Sequence, residues 1–368
     1  MKRSPHLLLT LLLLAGCDSK APSPPPLSPK ARLGELIYAD RTLSGSGRMS
    51  CATCHDPVFT HGPPNAQPVQ VGGAYEQLFG TRAAPSIRYL EHQPPFDAAR
   101  LQGGLMTDGR ADTLAAQALL PLFSPRELDA GDVKTVARKV RQGVYGAQFK
   151  AVYGAEEVDA KTTVAQIAEA LQAFQHEDTR FHPYDSKYDL VLAGREQLTA
   201  AEARGLAAFE DPRRGNCASC HTSRPGPDGK PPLFTNFGYA AFGVPRNAAI
   251  QANEDPKYFD VGLCLKGKPD QCGFFRTPGL RNTARRPVYF HNGKMTSLAQ
   301  VLDFYATRDS DAARWYPTAK FDDLRPQDHA GIAPLATITP QDRADIVCFL
   351  TALNDGYKPG TPAAENCR

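Results

Sequence analysis

Two short runs of this 368-residue chain carry chemistry in their spacing: Cys51-Ala52-Thr53-Cys54-His55 and Cys217-Ala218-Ser219-Cys220-His221. Two thiols three positions apart share one turn of helix, so each can form a thioether to one vinyl group of a haem. The next residue then turns its imidazole toward the iron. The pattern C-x-x-C-H predicts two covalent c-type haems, with Cys51, Cys54, Cys217 and Cys220 as attachment points and His55 and His221 as proximal ligands. A thioredoxin-like pair does not need the histidine twice. A zinc site would have to draw both pairs together from distant parts of the chain.

The elements that must position these groups are helical. Val164, Ile167, Ala168, Leu171 and Phe174 fall at helical spacing in Thr163–Glu177, and Val133, Val136 and Val140 repeat the pattern within Gly131–Gln142. Thr199-Ala200-Ala201-Glu202 reads as a capping box opening a helix through Phe209, just ahead of the second motif. Thr339-Pro340, with Asp342 in the first turn, opens a last helix through Leu353. Strand signals are scarce. The 32 prolines and 30 glycines fall mostly between these segments, as in long ordered loops that wrap a cofactor. The length predicts two domains, one per motif, with a boundary near Leu192 to Thr199: residues 31–195 and 196–368. The expected fold is therefore all-α, two haem-bearing helical domains.

Met1-Lys2-Arg3, an apolar run from Leu7 to Leu14 and then Ala15-Gly16-Cys17 read as an export signal over residues 1–16. Leu14-Ala15-Gly16-Cys17 resembles the lipobox of bacterial lipoproteins, which places a lipid on Cys17 as the only membrane contact, and a Pro- and Ser-rich tether over residues 17–30. A lipid-anchored periplasmic location follows. In that oxidising compartment Cys264, Cys272, Cys348 and Cys367 are expected to form two disulfides; the short-loop pairs are Cys264 with Cys272 and Cys348 with Cys367, and two other connectivities stay open. A net charge of only +3 argues against a nucleic-acid partner.

Phe275-Arg276-Thr277-Pro278-Gly279-Leu280-Arg281-Asn282 and Tyr289-Phe290-His291-Asn292-Gly293 follow the second motif. Together with the two motifs they make Ala31 to Leu353 similar to the bacterial di-haem cytochrome c peroxidase/MauG family. The resemblance implies two cytochrome-c-like helical domains. One haem meets hydrogen peroxide, and the other relays electrons to or from a redox partner protein, either a small cytochrome or a protein substrate. It implies Tyr305 as the sixth ligand of the second haem, with Met295 as the rival. A phenolate lowers a haem potential and a thioether raises it. It implies an open first haem, because a glycine of Val71-Gly72-Gly73 stands where relatives carry a second histidine; His61 and His92 remain the other candidates. Glu127 is implied as acid-base residue and Gln117 as its hydrogen-bonding companion, with Pro121 lining the same pocket.

Two departures from the family pattern stand out. Ala83 and Arg286 occupy positions that supply calcium ligands in relatives, which puts calcium in doubt. Thr107 replaces a tryptophan that lies between the haems, and the only tryptophan, Trp315, is far from that motif. The competing class is a non-enzymatic electron carrier or redox sensor with both irons six-coordinate.

Overall fold

The computed structural model describes residues 25–154, 158–226, 229–266, 269–316 and 338–368. The stretch expected to be an export signal and Cys17 lie outside the described residues. Helix α1 (Pro29–Ala39) opens at Ser28, whose hydroxyl accepts from the Ala31 amide, with Pro29 in the first position where a missing N–H costs nothing. The amide and hydroxyl of Ser28 both reach Glu177 at 2.8 Å. The tether expected to run to residue 30 thus ends sooner, because Ser28 is already tied into the first domain.

The first motif forms α2 (Cys51–Cys54). It is followed by α3 (Leu114–Phe123), α4 (Val133–Gln142), α5 (Gly146–Tyr153) and α6 (Ala160–Glu177). Helix α6 starts ahead of the expected Thr163 because the Asp159 carboxylate caps the amides of Lys161 and Thr162. The apolar faces of these helices form one core around Leu33, Ile37, Val136, Val140, Ile167, Leu171 and Phe174.

A second core gathers α7 (Lys187–Leu192), α8 (Ala200–Glu210), α9 (Leu298–Thr307), α10 (Ala312–Trp315) and α11 (Pro340–Thr351) around Phe209, Phe234, Phe304, Ile346 and Phe349. The capping box expected at Thr199 is formed with Glu202, and Thr339, expected to open the last helix, also closes a capping box with Asp342. Phe181 packs in the first core and Tyr188 in the second, so the core changes before the expected 192–199 boundary. Helix α7 goes with the second domain because Lys187 pairs with Glu202 and Asp189 with Arg281, all buried.

Each core uses the same device to bring two helices together. A Cβ on Gly34 of α1 would stand 2.0 Å from the Ala170 carbonyl oxygen of α6. A Cβ on Gly205 of α8 would stand 2.0 Å from that of Asp345 of α11. Only glycine permits either approach. In both halves this helix leads into the motif.

Among the described residues regular strand is confined to two antiparallel ladders, β1 (Val71–Gly72) with β2 (Leu78–Phe79) and β3 (Tyr239–Ala240) with β4 (Phe275–Arg276). The halves are joined by buried ion pairs. Arg82 binds Asp260 at 2.6 Å and Asp108 at 2.7 Å, while Arg88 binds Asp355 at 2.7 Å. Disulfides link Cys264 with Cys272 and Cys348 with Cys367, the short-loop pairs.

Candidate haem-binding active site

With four cysteines taken up by disulfides, Cys51, Cys54, Cys217 and Cys220 remain free. Burial pushes the thiols of Cys51 and Cys217 up to about 12 and that of Cys54 to about 11. Among the described residues no group of three or more His, Cys, Asp or Glu side chains is arranged to hold a metal ion. Both motif histidines are instead set up to offer a single nitrogen. Nδ1 of His55 lies 3.0 Å from the Pro85 carbonyl and Nδ1 of His221 lies 2.8 Å from that of Phe234. A carbonyl only accepts, so each Nδ1 carries the proton and each Nε2 keeps its lone pair. Burial lowers both imidazoles below their ordinary range and keeps them neutral, the form that ligates.

A cavity of about 720 Å³ runs between the halves, and all six motif residues line it. Arg286 lines it too, and its Nε is buried with no hydrogen-bond partner. A desolvated guanidinium facing an apolar cavity calls for an anion, which a haem's carboxylates provide. Free thiol pairs, one-nitrogen histidines and this unmatched cation fit two covalent haems.

The two ends of the cavity differ. At the first motif, Gln117 projects from α3, whose interior Pro121 lacks the N–H that the Gln117 carbonyl would otherwise bind. Glu127 opens onto the cavity, while protein enclosing it on its other sides raises its carboxyl above the usual range; Ser124 and Arg110 oppose that shift. Gly72 explains how this segment closes. A Cβ there would lie 2.2 Å from the Arg126 carbonyl and 2.7 Å from Glu127 Cα, so a side chain at position 72 and the present place of Glu127 exclude each other. His61 and His92 do not line the cavity. His61 is packed 4.1 Å from the Phe181 ring, and burial, with Arg88 and Arg180, lowers its imidazole to about 3.

At the second motif, Leu298, Val301, Leu302 and Tyr305 present one face of α9 to the cavity. Tyr305 is enclosed by Phe242 at 5.1 Å and Phe290 at 5.8 Å. Burial, reinforced by Cys217 and Cys220, raises its phenol well above the usual range. Met295, 3% exposed, packs in the second core and does not line the cavity.

Between the ends lie Thr107, singled out above, and two rings of the segments that carry the family resemblance. Thr107 Oγ1 accepts from Arg82 at 2.9 Å, and His291 stacks on Phe275 at 3.7 Å, both rings lining the cavity. Tyr75 and Tyr89 do not line it. Ala83 offers no side-chain ligand; its amide binds the His291 carbonyl, and the cation at this junction is Arg82. The signal that could have found Arg82 is its place beside Ala83, but its partner Asp260 lies 178 residues away.

Residues 28–197 match the di-haem cytochrome c peroxidase family. The chain is similar to the methylamine utilization protein MauG of Paracoccus denitrificans, 35% identical over 288 residues, covering 75% of this chain and 73% of that protein. It is similar to the cytochrome c551 peroxidase of Nitrosomonas europaea, 28% identical over 281 residues, covering 74% and 71%. Among solved structures it is similar to the di-haem peroxidase BthA from Burkholderia thailandensis, with a TM-score of 0.82, 37% identity and coverage of 91% and 87%. The chain belongs to the di-haem cytochrome c peroxidase/MauG family and is a peroxidase-type enzyme whose two motifs carry haem c.

Proposed function

We propose that hydrogen peroxide reacts at the N-terminal end of the cavity, through Glu127 and Gln117, and that the oxidising equivalents are shared with a C-terminal haem ligated by His221 and Tyr305. The reductant is a partner protein, either a small cytochrome or an oxidisable side chain of a protein substrate. The observation that carries this reading is one cavity holding two unlike ends: a carboxyl and an amide at one, a phenol at the other. Bound haem supplies an iron that accepts peroxide and the one-electron changes that follow.

The chain's own groups do the rest. Breaking the O–O bond to leave water requires a proton to pass from one peroxide oxygen to the other. Glu127 is suited to take and return it, because its raised carboxyl lies nearer the operating pH than a solvated glutamate. Gln117 donates a hydrogen bond into the same space and holds the peroxide in place. Gly72 carries no side chain that could ligate, and a Cβ there would meet the backbone of Arg126 and Glu127, so a haem held by His55 would find no second histidine from this segment. At the other end Phe242 and Phe290 pack around Tyr305, which would serve as the phenolate ligand of a haem held by His221. Replacing Glu127 by Gln and following peroxide by rapid mixing tests the assignment: the reaction slows while haem content stays constant.

The same proposal places the enzyme in the periplasm, held by lipid on Cys17. The export signal, the lipobox and two disulfides support it. Mass spectrometry of the mature N-terminus checks it: the expected species begins at a lipidated Cys17, and one beginning elsewhere contradicts it.

A further inference from the structure

The cavity contains a reactive group that the mechanism above does not use. Met106 lies in the loop closed by the Leu105–Ala111 bridge, and its thioether lines the cavity. Its Sδ accepts from Nε2 of Gln117 at 3.6 Å. The backbone of Met106 has φ +66°, the left-handed region that an unbranched side chain adopts only under constraint. The constraint is visible on both sides. Arg276 Nε donates to the Met106 carbonyl at 3.1 Å, and the Arg276 amide and Arg82 hold Thr107 at 2.8 and 2.9 Å. The loop thus fixes a sulfur beside the amide assigned to peroxide. Of the other methionines in the described residues, Met295 is sealed in the second core, and Met49 packs in the first and lines the same cavity, but the sulfur that accepts from Gln117 is that of Met106.

We propose that Met106 is a built-in oxidation site that limits the enzyme when its electron donor is absent. The inference rests on the peroxide reading of the N-terminal site. The thioether sulfur loses two electrons and gains one oxygen atom of hydrogen peroxide; the other oxygen leaves with both hydrogens as water. A thioether is a weak acceptor and a sulfoxide a strong one, so the product grips the Gln117 N–H that now meets it only loosely. Gln117 is then withdrawn from peroxide and turnover falls. Because methionine sulfoxide is enzymatically reducible, the loss is reversible.

The test exposes the ferric holoenzyme to hydrogen peroxide without donor, follows peroxide consumption, and locates added oxygen by peptide mass spectrometry. A parallel sample carries cyanide, which occupies the irons. The proposal expects one oxygen on Met106 ahead of Met49 and Met295, suppression by cyanide, and recovery of activity with methionine sulfoxide reductase. In Met106→Leu the decline of activity under peroxide is slower and the reductase restores nothing. Peroxide consumed with Met106 unmodified overturns this inference alone. Oxidation of Met106 that cyanide does not reduce also overturns it, since the sulfur is then merely accessible. No consumption of peroxide overturns the functional reading and this inference with it.

Discussion

The two halves solve the same positioning problem with the same parts and then diverge where the chemistry is done. In each, a helix with a buried glycine leads into C-x-x-C-H, the histidine is steered by a backbone carbonyl, and a capped helix faces it across the cavity. That opposing helix carries Gln117 in the first half and Tyr305 in the second. Glu127 and Met106 join the first, whereas Phe242 and Phe290 surround the second. On the proposed reading the scaffold sets where a haem sits, and a few side chains on the far face set whether it meets peroxide or passes charge.

The largest effect is expected at the polar end. Glu127→Gln should slow the reaction with peroxide by about 10²–10⁴-fold, the usual contribution of a general acid-base group, with both haems retained. The pH profile sharpens this. A base must be ionised to take a proton, and burial raises the Glu127 carboxyl. The wild-type rate should therefore rise with pH through a midpoint above the ordinary carboxylate range, and Glu127→Gln should lose that rise. A flat wild-type profile would remove Glu127 from proton transfer.

At the aromatic end, Tyr305→Phe should change the spectrum of the C-terminal haem while leaving attachment through Cys217 and Cys220 intact. Tyr305→Met should raise that haem's potential, since a thioether replaces an anionic oxygen. Met295→Leu should do neither. Spectral sensitivity at Met295 rather than Tyr305 would reverse the assignment.

The shared scaffold makes a symmetrical prediction. Gly34→Ala and Gly205→Ala each push a methyl group into a backbone carbonyl 2.0 Å away, so each should lower stability by about 1–3 kcal/mol. Thermal denaturation of the holo protein reads both. A loss in one variant only would show that the halves are not built alike.

The smallest effect concerns the junction. Thr107 offers no oxidisable ring where relatives carry a tryptophan, and the nearby stack of Phe275 on His291 is a poor substitute because neither ring is readily oxidised. Charge shared between the irons should give a weak near-infrared band after peroxide, and Thr107→Trp should strengthen it. A strong wild-type band unaltered by the added indole would show direct coupling.

What could be read from the sequence was local. The motifs, the helix starts at Thr199 and Thr339 and the apolar faces of α4 and α6 depend on residues a few positions apart, and spacing reports them. Glu127, Gln117 and Tyr305 were reached only through resemblance, since a glutamate or tyrosine at helical spacing carries no signal of what it faces. The Arg82 junction was invisible because Asp260 lies 178 residues from it. Met106 was missed because a thioether reveals nothing until the backbone turn and the Gln117 amide place it. The ties of Ser28 to Glu177 and of Lys187 to Glu202 were likewise out of reach, since nothing in the spacing pairs those residues.

The central claim is that one iron is open to peroxide and the other closed by Tyr305. Low-temperature electron paramagnetic resonance of the ferric holoenzyme, taken beside Tyr305→Phe, tests it most directly. The account predicts one high-spin signal from the His55 site, unchanged by the substitution, and a distinct second signal from the His221 site that Tyr305→Phe alters. Two low-spin signals, both indifferent to Tyr305, would contradict it and describe an electron carrier instead.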